Sequence, residues 1–172
     1  MGSMGEVMSN MKESLRTGGG LFELTERRNV LAAALAGILF MGGWWCMMDV
    51  IVMFPREEQF HHAYHVCGVI STLAFIMINA VSNGQVSAGA SGGYSEGCLG
   101  QRGARVWLFL GFILAFSALI ASAWILFQDY VSASTASPHH DKVWPGVALF
   151  LQNILIFLGA IVFKFGRVEE SF

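Results

Sequence analysis

From Val30 to Met48 the chain carries no charged side chain, and that run constrains the fold more than any other feature. At about 1.5 Å of rise per residue it makes roughly 28 Å of helix, close to the ~30 Å hydrocarbon core of a bilayer. Arg27 and Arg28 stand just before it, with Trp44, Trp45 and Asp49 near its far end. Length, lack of charge and a basic flank together predict a membrane-spanning helix over 30–53. Only 13% of the 172 residues are charged and 55% are hydrophobic; a soluble domain carries about 25% charged residues. A net charge of −2 without a basic run gives no case for nucleic acid.

The remaining chain repeats the theme. Apolar stretches predict helices over 63–82, 104–127 and 143–164, the last with Pro145 tolerated in its first turn. The stretch 83–103 has seven glycines and no apolar period, which predicts a flexible loop. Residues 1–28 read as a polar tail. In it Met4, Val7, Met8, Met11 and Leu15 recur at helical spacing, with Lys12, Glu13 and Arg16 off that stripe. The tail is therefore either a short surface helix closed by Gly18-Gly19-Gly20 or an unstructured segment. The expected fold class is an all-α membrane protein, a four-transmembrane-helix bundle over 29–167 with a short tail at 168–172 and no separate soluble domain. The first span lies too far in, and lacks a small-x-small exit, for a cleaved signal; it should act as an uncleaved signal-anchor. Glu6 occupies the place where a myristoylation start wants Ser or Thr.

Orientation follows from the basic residues. With the N-tail, the 83–103 loop and the C-tail on one side, that side holds Lys12, Arg16, Arg27, Arg28, Arg102, Arg105, Lys164 and Arg167; the other holds Arg56 and Lys142. The positive-inside rule then predicts both termini in the cytosol.

Small residues predict how the helices meet. Gly111, Ala115, Ala118 and Ser122 share one face of the third helix, and Ala32, Ala36 and Gly43 align similarly on the first. Such faces let spanning helices approach closely. Two uses stay open: closing the bundle itself, or docking another membrane protein. Asn79 and Asn153 are expected to fasten the bundle by bonds between helices, with Asn83 and Gln85 at the cytosolic end of the second helix and Gln152 beside Asn153.

Few residues suggest chemistry. Asp49 is ionisable within a span, which marks either a bond to a neighbouring helix or an ion, proton or ligand role. His61, His62, His65, His139 and His140 all fall on the non-cytosolic side, and His62, His65 and Asp49 are the residues placed to hold a metal or sense pH. No spacing completes a ligand set, so no metal and no cofactor are expected. Cys46, Cys67 and Cys98 are odd in number and widely spaced, which is no disulfide framework; Cys98 in the glycine-rich loop is a plain thiol or a palmitoylation site. No nucleophile-elbow, zinc-protease or phosphate-loop motif occurs, so no enzyme activity is expected.

The segments GGWWCMMD at 42–49, HAYHVCGVISTLAFIMINAVSNGQV at 62–86, YSEGCLGQRGARVWLF at 94–109 and KFGR at 164–167 resemble the transmembrane protein 50 family, which includes a fungal vacuolar protein sorting homologue. The resemblance covers about 29–167. It implies four spans and residence in endosomal, Golgi or endoplasmic reticulum membranes. It also implies a non-catalytic part in endosomal and vacuolar sorting, in complex with a second small multi-pass protein similar to the leptin receptor overlapping-transcript family. The alternative from the residues alone is a small ion or metal transporter, or its regulatory subunit, using Asp49 and the lumenal histidines.

Overall fold

The first helix, α1, runs without a break from Met4 to Met53. The computed structural model describes the backbone of residues 4–55, 62–87, 100–132 and 143–168, and the side chains of 23–55, 63–84, 86, 102–132 and 143–168. The glycine triplet at 18–20, expected to close a separate element, lies inside α1. A glycine costs a helix about 1 kcal/mol relative to alanine but does not forbid it. With no proline in the way, a helix nucleated in the apolar run propagates through the triplet one bond at a time. At the other end Pro55 stops it. The residue before a proline is pushed out of the helical region, and the last turn closes with Phe54 N donating to Val50 O at 2.8 Å.

A single 3₁₀ turn, His62–Tyr64, leads into α2, His65–Ala80. Val81 then turns extended (φ −98°, ψ 133°) and α3, Asn83–Ser87, adds one helical turn. Helix α4 spans Gly100–Ile125 and passes directly into a π-helical stretch, Leu126–Val131. Helix α5 covers Trp144–Gly166 with Pro145 in its first turn, where a missing N–H is no loss. Both edges of the expected 83–103 loop are thus helical, and residues 88–99 lie outside the described part. Among the described residues three segments are long and apolar enough to cross a membrane: Glu23–Met53, Arg102–Val131 and Trp144–Gly166. Helix α2 is apolar but has only 16 residues.

Helix α5 is the centre of the bundle and packs against α1, α2 and α4, while α2 also packs on α4. Small residues set these approaches. Along α1 and α5, Gly43 faces Gln152, Ala36 faces Gly159 and Ala32 faces Gly166, an antiparallel seam. A Cβ on Gly159 would lie 3.2 Å from Ala36 O, and one on Gly166 would lie 2.8 Å from Ala32 Cβ. Between α2 and α4, Ala74 and Ile78 meet Ala115, with Ala160 of α5 in the same cluster. A second cluster of Met47, Val50, Phe54, Cys67, Tyr130, Ala148 and Leu149 fills the other half.

The two ends of the bundle differ in charge. Among the described side chains, Arg27, Arg28, Arg102, Arg105, Lys164 and Arg167 gather at one end, and Asp49 and Asp129 lie towards the other. Three of the cations close helix C-termini, whose last carbonyls have no partner within the helix. Lys164 Nζ donates to Val81 O beyond α2. Arg105 donates through Nε and Nη2 to Val86 O in α3 (3.2 and 3.1 Å), and Arg28 Nε donates to Gly166 O of α5 (3.0 Å). Lys164, in the last turn of α5, also complements that helix's dipole. Asn29 completes the clamp, donating to Val168 O at 3.0 Å and accepting from Val168 N at 2.7 Å.

Candidate functional site

The small-residue faces are inside the molecule. Gly111, Ala115, Ala118 and Ser122 are all buried, as are Ala32, Ala36 and Gly43. A Cβ on Gly111 would meet Ile78 Cγ1 at 3.0 Å and Met77 Cβ at 3.3 Å. Of the two uses left open for these residues, the structure shows packing within the bundle. As a docking surface they are covered. The small residues that do face outward are different ones: Ala33, Ala34 and Gly37 on α1 are exposed, and nothing lies within 4 Å of where a Gly37 Cβ would stand. Ala33 and Gly37 are one turn apart, the small-xxx-small spacing on which spanning helices cross.

A polar layer crosses the apolar interior where α1, α2 and α5 meet. Ser71 Oγ donates to Asn153 Oδ1 at 2.5 Å, joining α2 to α5, and Asn153 Nδ2 returns to Leu149 O at 2.8 Å. Trp44 Nε1 donates to Thr72 Oγ1 (3.2 Å), which donates to Gly68 O (2.8 Å), joining α1 to α2. Asn153 thus fastens two helices as expected. Asn79 does not: its Nδ2 turns back to Phe75 O of its own helix at 2.8 Å. Asn83 Nδ2 reaches Lys164 O of α5 at 3.4 Å, and the Gln85 side chain lies outside the described residues.

At the far end Asp49 is half-buried and accepts a bond from Trp144 Nε1 at 3.1 Å, tying the end of α1 to the start of α5. Tyr64 donates to Asp129, a residue of the π-helical stretch. Widening the helix there also turns Tyr130 inward, 2% exposed, against Gly146; a Cβ on that glycine would be 2.6 Å from the ring. Such π turns often re-aim side chains at the point where they occur. Tyr64→Phe removes one bond to a carboxylate, and we expect it to lower stability by about 1.5–3 kcal/mol. Thermal melting in detergent measures this, and an unchanged midpoint would mean that water replaces the phenol at no loss.

Among the described residues no three histidine, cysteine or acidic side chains come together to hold a metal. His65 and Asp49 are described; the side chains of His61, His62, His139 and His140 lie outside, as does Cys98. Gly68, Gly159, Gly166, Tyr64, Asp129 and the capping role of Lys164 were not singled out from the sequence. One signal was available: Gln152, Gly159 and Gly166 recur every seven residues, a stripe along α5.

Comparison with known proteins points to one family. Residues 13–172 match the family described as "Uncharacterised protein family (UPF0220)". A relative, "Transmembrane protein 50 homolog" of Dictyostelium discoideum, is 28% identical over 152 residues, which cover 80% of this chain and 90% of the relative. No solved structure matches.

Proposed function

We propose a function for a chain that belongs to the UPF0220 family, the transmembrane protein 50 proteins. It is an integral membrane protein that works without catalysis, by binding a second multi-pass membrane protein side by side, and so assists sorting in endosomal, Golgi or endoplasmic reticulum membranes. Four spans with both termini cytosolic fit the gathering of Arg27, Arg28, Arg102, Arg105, Lys164 and Arg167 at one end. Helix α2 supports the fourth span despite its length. It runs from the Tyr64–Asp129 contact at one end to the Val81–Lys164 contact at the other.

The observation that carries the reading is the open face of α1 at Ala33, Ala34 and Gly37, small residues left uncovered within an apolar span. Lipid needs no such face, whereas a partner helix does. The pairing of Asp49 with Trp144 favours a fastening role for that carboxylate over an ion path. The partner expected is a small multi-pass protein like those of the leptin receptor overlapping-transcript family.

Ala33→Leu combined with Gly37→Leu should cut recovery of a stoichiometric multi-pass partner in mild detergent by about tenfold or more, about 1.4 kcal/mol. The melting temperature of the protein itself should hold. Gly111→Leu, by contrast, should lose both, because it acts inside the bundle. Undiminished recovery from the double variant would remove α1 as the docking helix.

A further inference from the structure

The turn that follows α2 is held from two sides. Lys164 Nζ donates to Val81 O, Asn83 Nδ2 reaches Lys164 O at 3.4 Å, and Arg105 donates twice to Val86 O. At the centre of that turn stands the one Asn-Gly pair in the sequence, Asn83-Gly84. The other asparagines with described side chains are Asn29, Asn79 and Asn153. They precede Val, Ala and Ile and sit within α1, α2 and α5. There the continuous helical ladder fixes the backbone nitrogen that follows each of them.

An asparagine is lost when the next backbone nitrogen reaches the asparagine's own Cγ. Glycine in second place permits this best, because it has no Cβ in the way and the widest choice of backbone angles. Gly84 is exposed, and the nearest atom to where its Cβ would stand is Ser82 Oγ at 3.9 Å, so the approach is open. A helical backbone keeps the nitrogen turned from Cγ, and α3 must open first. Little resists that opening. Helix α3 has five residues, and the bond that closes its turn, Val86 N to Ser82 O, is 3.4 Å. Ordinary bonds of this type run to about 3.2 Å, and an isolated turn gains nothing from helical cooperativity. On the other side Val81 is extended, so the ladder of α2 does not continue into the pair.

We propose that Asn83-Gly84 is a site of spontaneous deamidation, and that the reaction releases this turn from α5. Gly84 N forms a bond to Asn83 Cγ, the Cγ–Nδ2 bond breaks, and Nδ2 leaves as ammonia with the proton that Gly84 N gives up. Water then opens the succinimide at either of its two carbonyls, leaving aspartate or isoaspartate; nothing is oxidised or reduced. The donor to Lys164 O departs with the ammonia, and the carboxylate in its place can only accept. Isoaspartate also threads a methylene into the backbone, so the turn of α3 cannot close as before. The test incubates the full chain in mild detergent at mildly alkaline pH and maps its peptides by mass spectrometry, beside the same chain unfolded in denaturant. The folded protein should gain the deamidation mass at Asn83 ahead of Asn29, Asn79 and Asn153. Gly84→Ala should slow that gain about tenfold or more, because a Cβ obstructs the attacking nitrogen. Amide exchange across 82–87 should quicken in the converted fraction alone. Conversion confined to the unfolded chain overturns the proposal, since α3 would then protect the pair. A converted fraction whose exchange matches the unconverted one overturns it too, since the turn would then still be held.

Discussion

Gly43→Leu is expected to part α1 from α5 and to lower stability by about 3 kcal/mol, the upper end of the usual overpacking range. The reason is what stands opposite. Even a bare Cβ at position 43 would lie 3.0 Å from Gln152 O, 3.4 Å from Ile156 Cγ1 and 3.5 Å from Gln152 Cα. Two of those three atoms are backbone, which has no rotamer to escape into. Three further carbons can be housed only if the helix axes move apart. The contacts of Ala36 with Gly159 and of Ala32 with Gly166 then open as well, because all three pairs lie on one seam. Gly37→Leu is the control on the same helix. It points into open space and should match or exceed the wild type, by up to about 1 kcal/mol, because leucine is the better helix former. Thermal melting of the purified proteins, with size exclusion to report aggregation, separates the two. Equal midpoints would mean that the seam has slack.

Lys164→Leu should cost about 1–3 kcal/mol, the range for leaving a buried acceptor unmatched. Lys164 is 5% exposed and its ammonium meets Val81 O, just beyond the last turn of α2. Leucine fills much of the volume but offers that carbonyl no donor. In water the loss would be made good by solvent; at a buried helix end it is not. Damage should concentrate there. Amide exchange across Asn79–Val81 is expected to accelerate more than exchange in α1, and chemical denaturation gives the global figure. Uniform acceleration would show that Lys164 supports the whole bundle and not one helix end.

Three of the expected spans were legible because bilayer thickness forces each to be a long apolar run, and a run is a local property. The small faces were legible for the same reason: Gly111, Ala115, Ala118 and Ser122 recur at helical spacing whatever stands opposite. What stands opposite was not legible. Whether that face closes the bundle or meets a stranger depends on which helices are neighbours, and the centrality of α5 leaves no mark in any one segment. Asp49 announced itself as a charge in a span, yet Trp144, its partner, is ninety-five positions away in the chain. Lys164 was counted for the side it marks, and nothing in that count reveals an ammonium folded inward. Glycine misled twice. At 18–20 and at 83–87 it was read as an end to order, although it only weakens a helix and neither stretch contains the proline that would break one.

Of the long helices, α5 is the last to be made, and it is the one the others need. When α1, α2 and α4 have already left the ribosome, Gly43 and Ala36 still lack the backbone they are shaped to meet, and Ser71 lacks Asn153. Helices α2 and α4 already match one another through Ala74, Ile78 and Ala115, but α1 has no seam to close until Trp144–Gly166 arrives, and that one helix then completes several interfaces together. A ribosome stalled before that helix leaves a chain whose small and hydroxyl-bearing faces are open to lipid, a pattern by which membrane quality control could distinguish an unfinished copy from a finished one.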